Sequence, residues 1–197
     1  MGLHGSPTAV LEYQNAKAWL IGEENNGMMA MFTMMNNARL NVGVQGLAIS
    51  ERAYQKALSF SKERIQGYSL NKNIIGTVEI IKHPDVKRML MEMKSQTEAM
   101  RGLAITTGNF IDKYKNFPNS PEGKECLFIS NLLTPIVKAW CTDQSIYITS
   151  LGVQIHGGMG FTDLLGLHYW FKRIGLNRQL LGTPERVREG AASLQLN

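Results

Sequence analysis

Cysteine is scarce in this 197-residue sequence, with Cys126 and Cys141 the two present. They share one helical pattern, and at 1.5 Å of rise per residue they stand ~22 Å apart, beyond disulfide reach. No Asn-x-Ser/Thr acceptor occurs, and Met1-Gly2-Leu3-His4-Gly5-Ser6-Pro7 has neither a charged n-region nor an apolar h-region. These absences exclude a disulfide-stapled scaffold and read as a reducing, cytoplasmic setting without a secretory signal. No apolar run approaches ~18 residues, which excludes a spanning helix.

Metal and hydrolase signatures are lacking too. The four histidines (His4, His83, His156, His168) hold no ligand spacing, so each reads as a surface or hydrogen-bonded core residue. No Gly-x-Ser-x-Gly elbow is found. Gly157-Gly158-Met159-Gly160 lacks the third glycine of the dinucleotide fingerprint, where Asp163 stands, and it follows a helical pattern rather than a strand. It remains either a helix stop or a backbone platform that a ligand can approach closely.

What is present is a foldable, mildly basic chain. Hydrophobic residues make up 44% and charged residues 19%, and 21 Lys and Arg against 16 Asp and Glu leave a net charge of +5. The excess suits phosphate-bearing partners. It is dispersed rather than striped, which argues against a nucleic-acid footprint. Eleven methionines occur, five of them between Met28 and Met35, readable as core filler or as an apolar acyl-chain wall.

Thr8-Ala9-Val10-Leu11-Glu12-Tyr13 and Lys17-Ala18-Trp19-Leu20-Ile21 read as two short strands at a sheet edge. From Gly27 the period turns helical for about forty residues. Leu40, Val44, Leu47, Tyr54 and Leu58 form one apolar face and Val42, Ile49, Ala53, Ala57 and Phe60 a second. Asn41, Gln45, Arg52, Gln55, Ser59 and Lys62 make the polar stripe, and Gly43 and Gly46 imply close backbone packing. Residues 67–82 read as a connection. A second helix is predicted from Pro84 to about Tyr114, with Val86, Met89, Leu90, Met93, Thr97, Met100 and Leu103 inward. A third carries Ile129, Leu133, Ile136, Trp140, Tyr147 and Leu151 on one face, contains Pro135, and stops at Gly157-Gly158. Three long helices with short connections predict a mainly α, up-down antiparallel bundle with a short β remnant at the N-terminus. Arg39 and Arg64, on the first helix, are candidate phosphate holders by residue type, against the plainer reading of solvated surface arginines.

Several strings together resemble the C-terminal half of the flavin-dependent acyl-CoA dehydrogenase family, in its longer-chain branch. Gly5-Ser6-Pro7-Thr8 resembles the end of that family's middle β domain, and Leu20-Ile21-Gly22-Glu23-Glu24-Asn25-Asn26-Gly27 its approach to the helical domain. Met34-Met35-Asn36-Asn37-Ala38-Arg39-Leu40 and Lys62-Glu63-Arg64-Ile65-Gln66-Gly67 are similar to the two ends of its first bundle helix. His83-Pro84-Asp85-Val86, Leu133-Thr134-Pro135-Ile136 and Gln154-Ile155-His156-Gly157-Gly158-Met159-Gly160-Phe161 also match.

The resemblance implies residues 1–26 as a remnant of the β domain, 27–161 as the helical bundle domain and 162–197 as a divergent tail. It implies FAD as cofactor, with Arg64 at the pyrophosphate of a neighbouring subunit's flavin and Gln154, Gly157 and Gly158 at its adenosine end. It places Asn36 and Arg39 at the CoA part of the substrate. The implied reaction is α,β-dehydrogenation of an acyl-CoA, a glutamate taking the α-proton and the flavin the β-hydride, with electrons passed to an electron-transfer acceptor. A homo-oligomer is implied as well.

No Tyr-Glu-Gly-Thr follows Phe161, so no catalytic residue is assigned, Glu185 and Glu189 lying in unrelated surroundings. Met1 stands where longer relatives have an internal residue, so the chain reads as truncated and inactive alone. The alternative is a non-catalytic helical oligomerisation module. Leu165-Gly166-Leu167-His168 is what the family's Thr-Gly-Ala-Ala stretch yields when read one base later, and a frame-shifted end is expected after residue 162.

Overall fold

The computed structural model describes residues 9–69, 73 and 75–157. Three long helices dominate: α1 (Gly27–Glu63), α2 (Pro84–Asn116) and α3 (Pro121–His156). Between α1 and α2 lie strands β1 (Ile65–Tyr68) and β2 (Thr77–Glu79), followed by a 3-10 turn at Ile80–Lys82.

The helices run up, down, up. Glu51 of α1 meets Arg101 of α2, and Glu92 of α2 meets Tyr147 of α3, so successive helices are antiparallel. Gly43 faces Val137 and Gly46 faces Cys141, so α1 and α3 run parallel. The predicted mainly α, up-down bundle is thus the observed fold.

Local chemistry explains the helix ends. Pro84 and Pro121 each open a helix where a missing N–H costs nothing, and Asp85 and Glu122 stand in the first turns. The Ser120 hydroxyl accepts from the Gly123 N–H at 2.9 Å. Gly157 closes α3 at φ 58°, ψ −138°, its N–H donating to the Gln154 carbonyl, so the expected glycine stop is formed there. α3 continues through Pro135, which sits on its exposed side.

The core differs in detail from the apolar faces read in the sequence. On α1 the buried positions are Gly43, Gly46, Ser50, Ala53, Ala57 and Ser61, while Leu40, Leu47, Tyr54, Leu58 and Phe60 flank them half-buried and Val44 is exposed. On α3 the buried set includes Cys126, Ser130, Thr134, Val137, Cys141, Ser145, Ile148 and Thr149, with Ile136 and Tyr147 exposed. Small residues let the two backbones approach closely. A Cβ on Gly46 would stand 2.6 Å from the Cys141 carbonyl oxygen, and one on Gly43 2.6 Å from a Val137 methyl. The buried hydroxyls are satisfied within their own helices, Ser50 by Gly46, Thr134 by Ser130 and Thr149 by Ser145. The α2 face is as read, with Met89, Leu90, Met93, Thr97 and Met100 buried. So is the polar stripe of α1, whose six members are all exposed.

Two expectations fail. Residues 9–21 form no strand: Val10, Leu11, Trp19 and Ile21 are exposed, and no neighbouring strand among the described residues supplies ladder partners. The short β element instead straddles the end of the first helical pattern and the 67–82 connection, where β1 and β2 pair antiparallel. The methionine cluster is not core filler, since Met28, Met29, Met31 and Met34 are exposed and Met35 is half-buried. Cys126 and Cys141 are buried and unpaired, as their spacing requires. No helix among the described residues is long and apolar enough to cross a membrane.

Candidate functional site

Arg64 stands one residue beyond α1. Its N–H donates to the Phe60 carbonyl at 2.9 Å, and its own carbonyl accepts from the Ile80 N–H at 2.8 Å, so its backbone is held by α1 on one side and the 3-10 turn on the other. The guanidinium is exposed, touches the Gln66 side-chain oxygen at 3.4 Å, and has no carboxylate within ion-pair distance among the described residues.

The end of α3 lies at the same end of the bundle. His156 stacks on Phe60 with ring centroids 4.5 Å apart, four residues before Arg64, and its Nδ1–H donates to the Gly152 carbonyl at 2.7 Å. His156 is buried, the hydrogen-bonded core histidine that its lack of ligand spacing suggested. Burial pushes the imidazole below its usual range, against the opposing pull of the Gly152 carbonyl and with a smaller push from Lys56. Gln154 and Gly157 are exposed beside it. Among the described residues, nothing lies within 4 Å of where a Gly157 Cβ would stand, so none of them closes off the backbone there. Arg64, Gln154 and Gly157 therefore share one end of the molecule. Gly158 lies outside the described residues.

Asn36 and Arg39 are brought together with each other but not with that end. Arg39 donates to the Asn36 side-chain oxygen at 3.2 Å and its guanidinium stands 6.0 Å from the Phe32 ring centre. Twenty-five residues of helical rise put Arg39 ~37 Å from Arg64 along α1. Any ligand held at both places is long, or there are two ligands.

One polar contact at the Arg64 end was not legible beforehand. His83, at the start of α2, reaches back across the hairpin to the Gln66 carbonyl at 2.7 Å. The signal was a lone histidine before a proline, indistinguishable in sequence from an N-terminal helix flank.

Residues 25–193 match the model for the C-terminal domain of acyl-CoA dehydrogenases. The whole chain is 47% identical over 197 residues to a 3-methylmercaptopropionyl-CoA dehydrogenase of Ruegeria pomeroyi, spanning 32% of that protein. It is 34% identical over 171 residues to a butyryl-CoA dehydrogenase of Syntrophomonas wolfei, covering 83% of this chain and 28% of that one. The fold matches the solved butyryl-CoA dehydrogenase of Megasphaera elsdenii with a TM-score of 0.63 at 24% identity, over 89% of this chain and 40% of that one. The chain thus spans about a third or less of the length of these first two relatives. The family match extends through residue 193, into the stretch read as a divergent, frame-shifted end.

Proposed function

We propose, from the premise that this chain belongs to the acyl-CoA dehydrogenase family, that it contributes the flavin- and CoA-holding helices for α,β-dehydrogenation of an acyl-CoA thioester. One observation carries the reading. Arg64, exposed and without an acidic partner among the described residues, shares an end of the bundle with Gln154 and the backbone of Gly157. A cation at the same end of the bundle as a glycine backbone fits a pyrophosphate. Arg64 would hold the FAD pyrophosphate of a neighbouring subunit, and Gln154, Gly157 and Gly158 its adenosine end. Asn36 and Arg39 would hold the CoA part of the substrate, at the other end of α1. FAD, when bound, supplies the hydride-accepting redox chemistry, with electrons then passed to an electron-transfer acceptor. No carboxylate of this chain is assigned as the base.

Residues 1–26 are assigned to the end of the middle β domain, and the bundle domain begins at residue 27. The relatives with higher identity are spanned to 28–32% of their length and more distant ones to 38–44%, which supports the branch of longer polypeptides. Two buried, unpaired cysteines support a reducing, cytoplasmic location.

A second reading, a non-catalytic oligomerisation module, is favoured by the exposed apolar stripe of Leu127, Phe128, Leu132 and Ile136 on α3. Homo-oligomers are expected under both readings. Titration of the purified chain with FAD, followed by flavin fluorescence, and then addition of butyryl-CoA separates them. Flavin binding that Arg64→Ala weakens about tenfold supports the flavin role. Bleaching of the bound flavin by the thioester supports catalysis. Absent binding, with sedimentation showing an oligomer, leaves the module.

A further inference from the structure

The Arg64 end of the bundle contains a contact that the flavin reading does not use. β1 and β2 pair at Ile65 with Glu79 and Tyr68 with Thr77, and the register shifts between Ile65 and Tyr68. The irregularity therefore falls on Gln66 and Gly67, two and three residues after Arg64. Such irregularities re-aim nearby side chains and leave a ladder group without its partner. Here the Gln66 carbonyl is met by the His83 ring, with Nε2 2.7 Å away. A carbonyl can only accept, so Nε2 carries the proton. Gly67 adopts φ +76°, and a Cβ there would stand 3.3 Å from the imidazole, so the ring and the turn are fitted to each other. His83 is itself fixed, its N–H donating to the Ile80 carbonyl at 3.0 Å while the Ile80 N–H donates to the Arg64 carbonyl at 2.8 Å. The Gln66 side chain is the group that the Arg64 guanidinium touches.

We infer that His83 is a positioning residue for Arg64, holding the bulge so that Gln66 aims the guanidinium outward; this rests on the anion-holding role proposed for Arg64. His83 touches no ligand in this scheme. Its effect on binding passes through Gln66 and Arg64.

The test is FAD titration of the 197-residue chain and its R64A, H83F, H83Q and R64A/H83F variants, with amide hydrogen exchange on the same proteins. H83F should weaken FAD binding about threefold to tenfold, the worth of one hydrogen bond. H83Q, whose amide can still donate, should restore it. The double variant should bind no more weakly than R64A, and exchange at Gln66–Tyr68 should quicken in H83F without ligand. An H83F effect undiminished in the R64A background, no H83F effect, or no rescue by H83Q overturns the inference while leaving the Arg64 reading in place. Wild-type chain that does not bind FAD, or R64A that binds it normally, overturns the Arg64 reading and the inference with it. Should H83F fail to fold, H83N, whose amide is too short to reach the carbonyl, replaces it with the same expectations.

Discussion

The imidazole of His156 lies over the ring of Phe60, 28° from parallel, and ties the last turn of α3 to the last turn of α1. Because burial holds this imidazole below its usual range, the folded chain keeps it neutral where the unfolded chain takes up a proton near pH ~6.5. The unfolded state then binds more protons, and stability falls as the pH drops from about 6.5 toward the folded value, flattening below it. Melting temperatures between about pH 7 and 5 should fall in the native chain and fall less steeply in H156Q. Equal slopes in the two proteins would remove His156 as the cause.

The glycines of α1 and α2 predict opposite outcomes for one substitution. At Gly46 an added methyl meets the Cys141 backbone, so Gly46→Ala should destabilise by about 1–3 kcal/mol. At Gly102, in mid-helix, nothing among the described residues lies within 4 Å of an added Cβ, and Gly102→Ala should stabilise by about 0.5–1 kcal/mol. Urea midpoints of the two variants should move in opposite directions.

Glu51 and Arg101 join α1 to α2 with side chains 27% and 35% exposed, intermediate between a surface pair and a buried one. Their coupling in a double-mutant cycle should be about 0.5–1 kcal/mol. Most of it should vanish in about 1 M salt, where the Debye length shrinks to about 3 Å. A coupling indifferent to salt would point to packing rather than charge.

Ser120 caps α3, and its hydroxyl also donates to the Phe117 carbonyl at 3.0 Å. Ser120→Ala should cost about 1 kcal/mol in thermal or urea unfolding, and Ser120→Asp should recover most of it. Equal losses in both would mean that the cap is not the source.

Helix positions were legible because their signals are local. Proline at the first turn and the glycine stop of α3 needed no knowledge of neighbours. The buried faces of α1 and α3 were read less well because Ser50, Ser61, Thr134 and Ser145 count as polar in any periodicity, yet each hydroxyl finds a carbonyl in its own helix. Their burial is decided by how closely two backbones approach, a tertiary quantity. The pairing of Ile65 with Glu79 was hidden for a related reason, since three- and four-residue strands carry too few alternations to register. Arg64 was marked by residue type and family resemblance, whereas its nearness to Gln154 and Gly157 depends on α1 and α3 running parallel. His83 had no signal of its own, because its partner is a backbone carbonyl seventeen residues away.

The small-residue seam between α1 and α3 has a calorimetric consequence. Gly43, Gly46, Ser50, Ala53, Ala57 and Ser61 bring little side-chain hydrocarbon to the contact, so opening it hydrates little apolar surface. Attraction there is close-range dispersion between backbones, which weakens less on cooling than the hydrophobic effect does. The α2 side, built on Met89, Leu90, Met93 and Met100, holds the apolar surface whose exposure raises heat capacity. Cooling should therefore loosen α2 from the bundle before it parts α1 from α3.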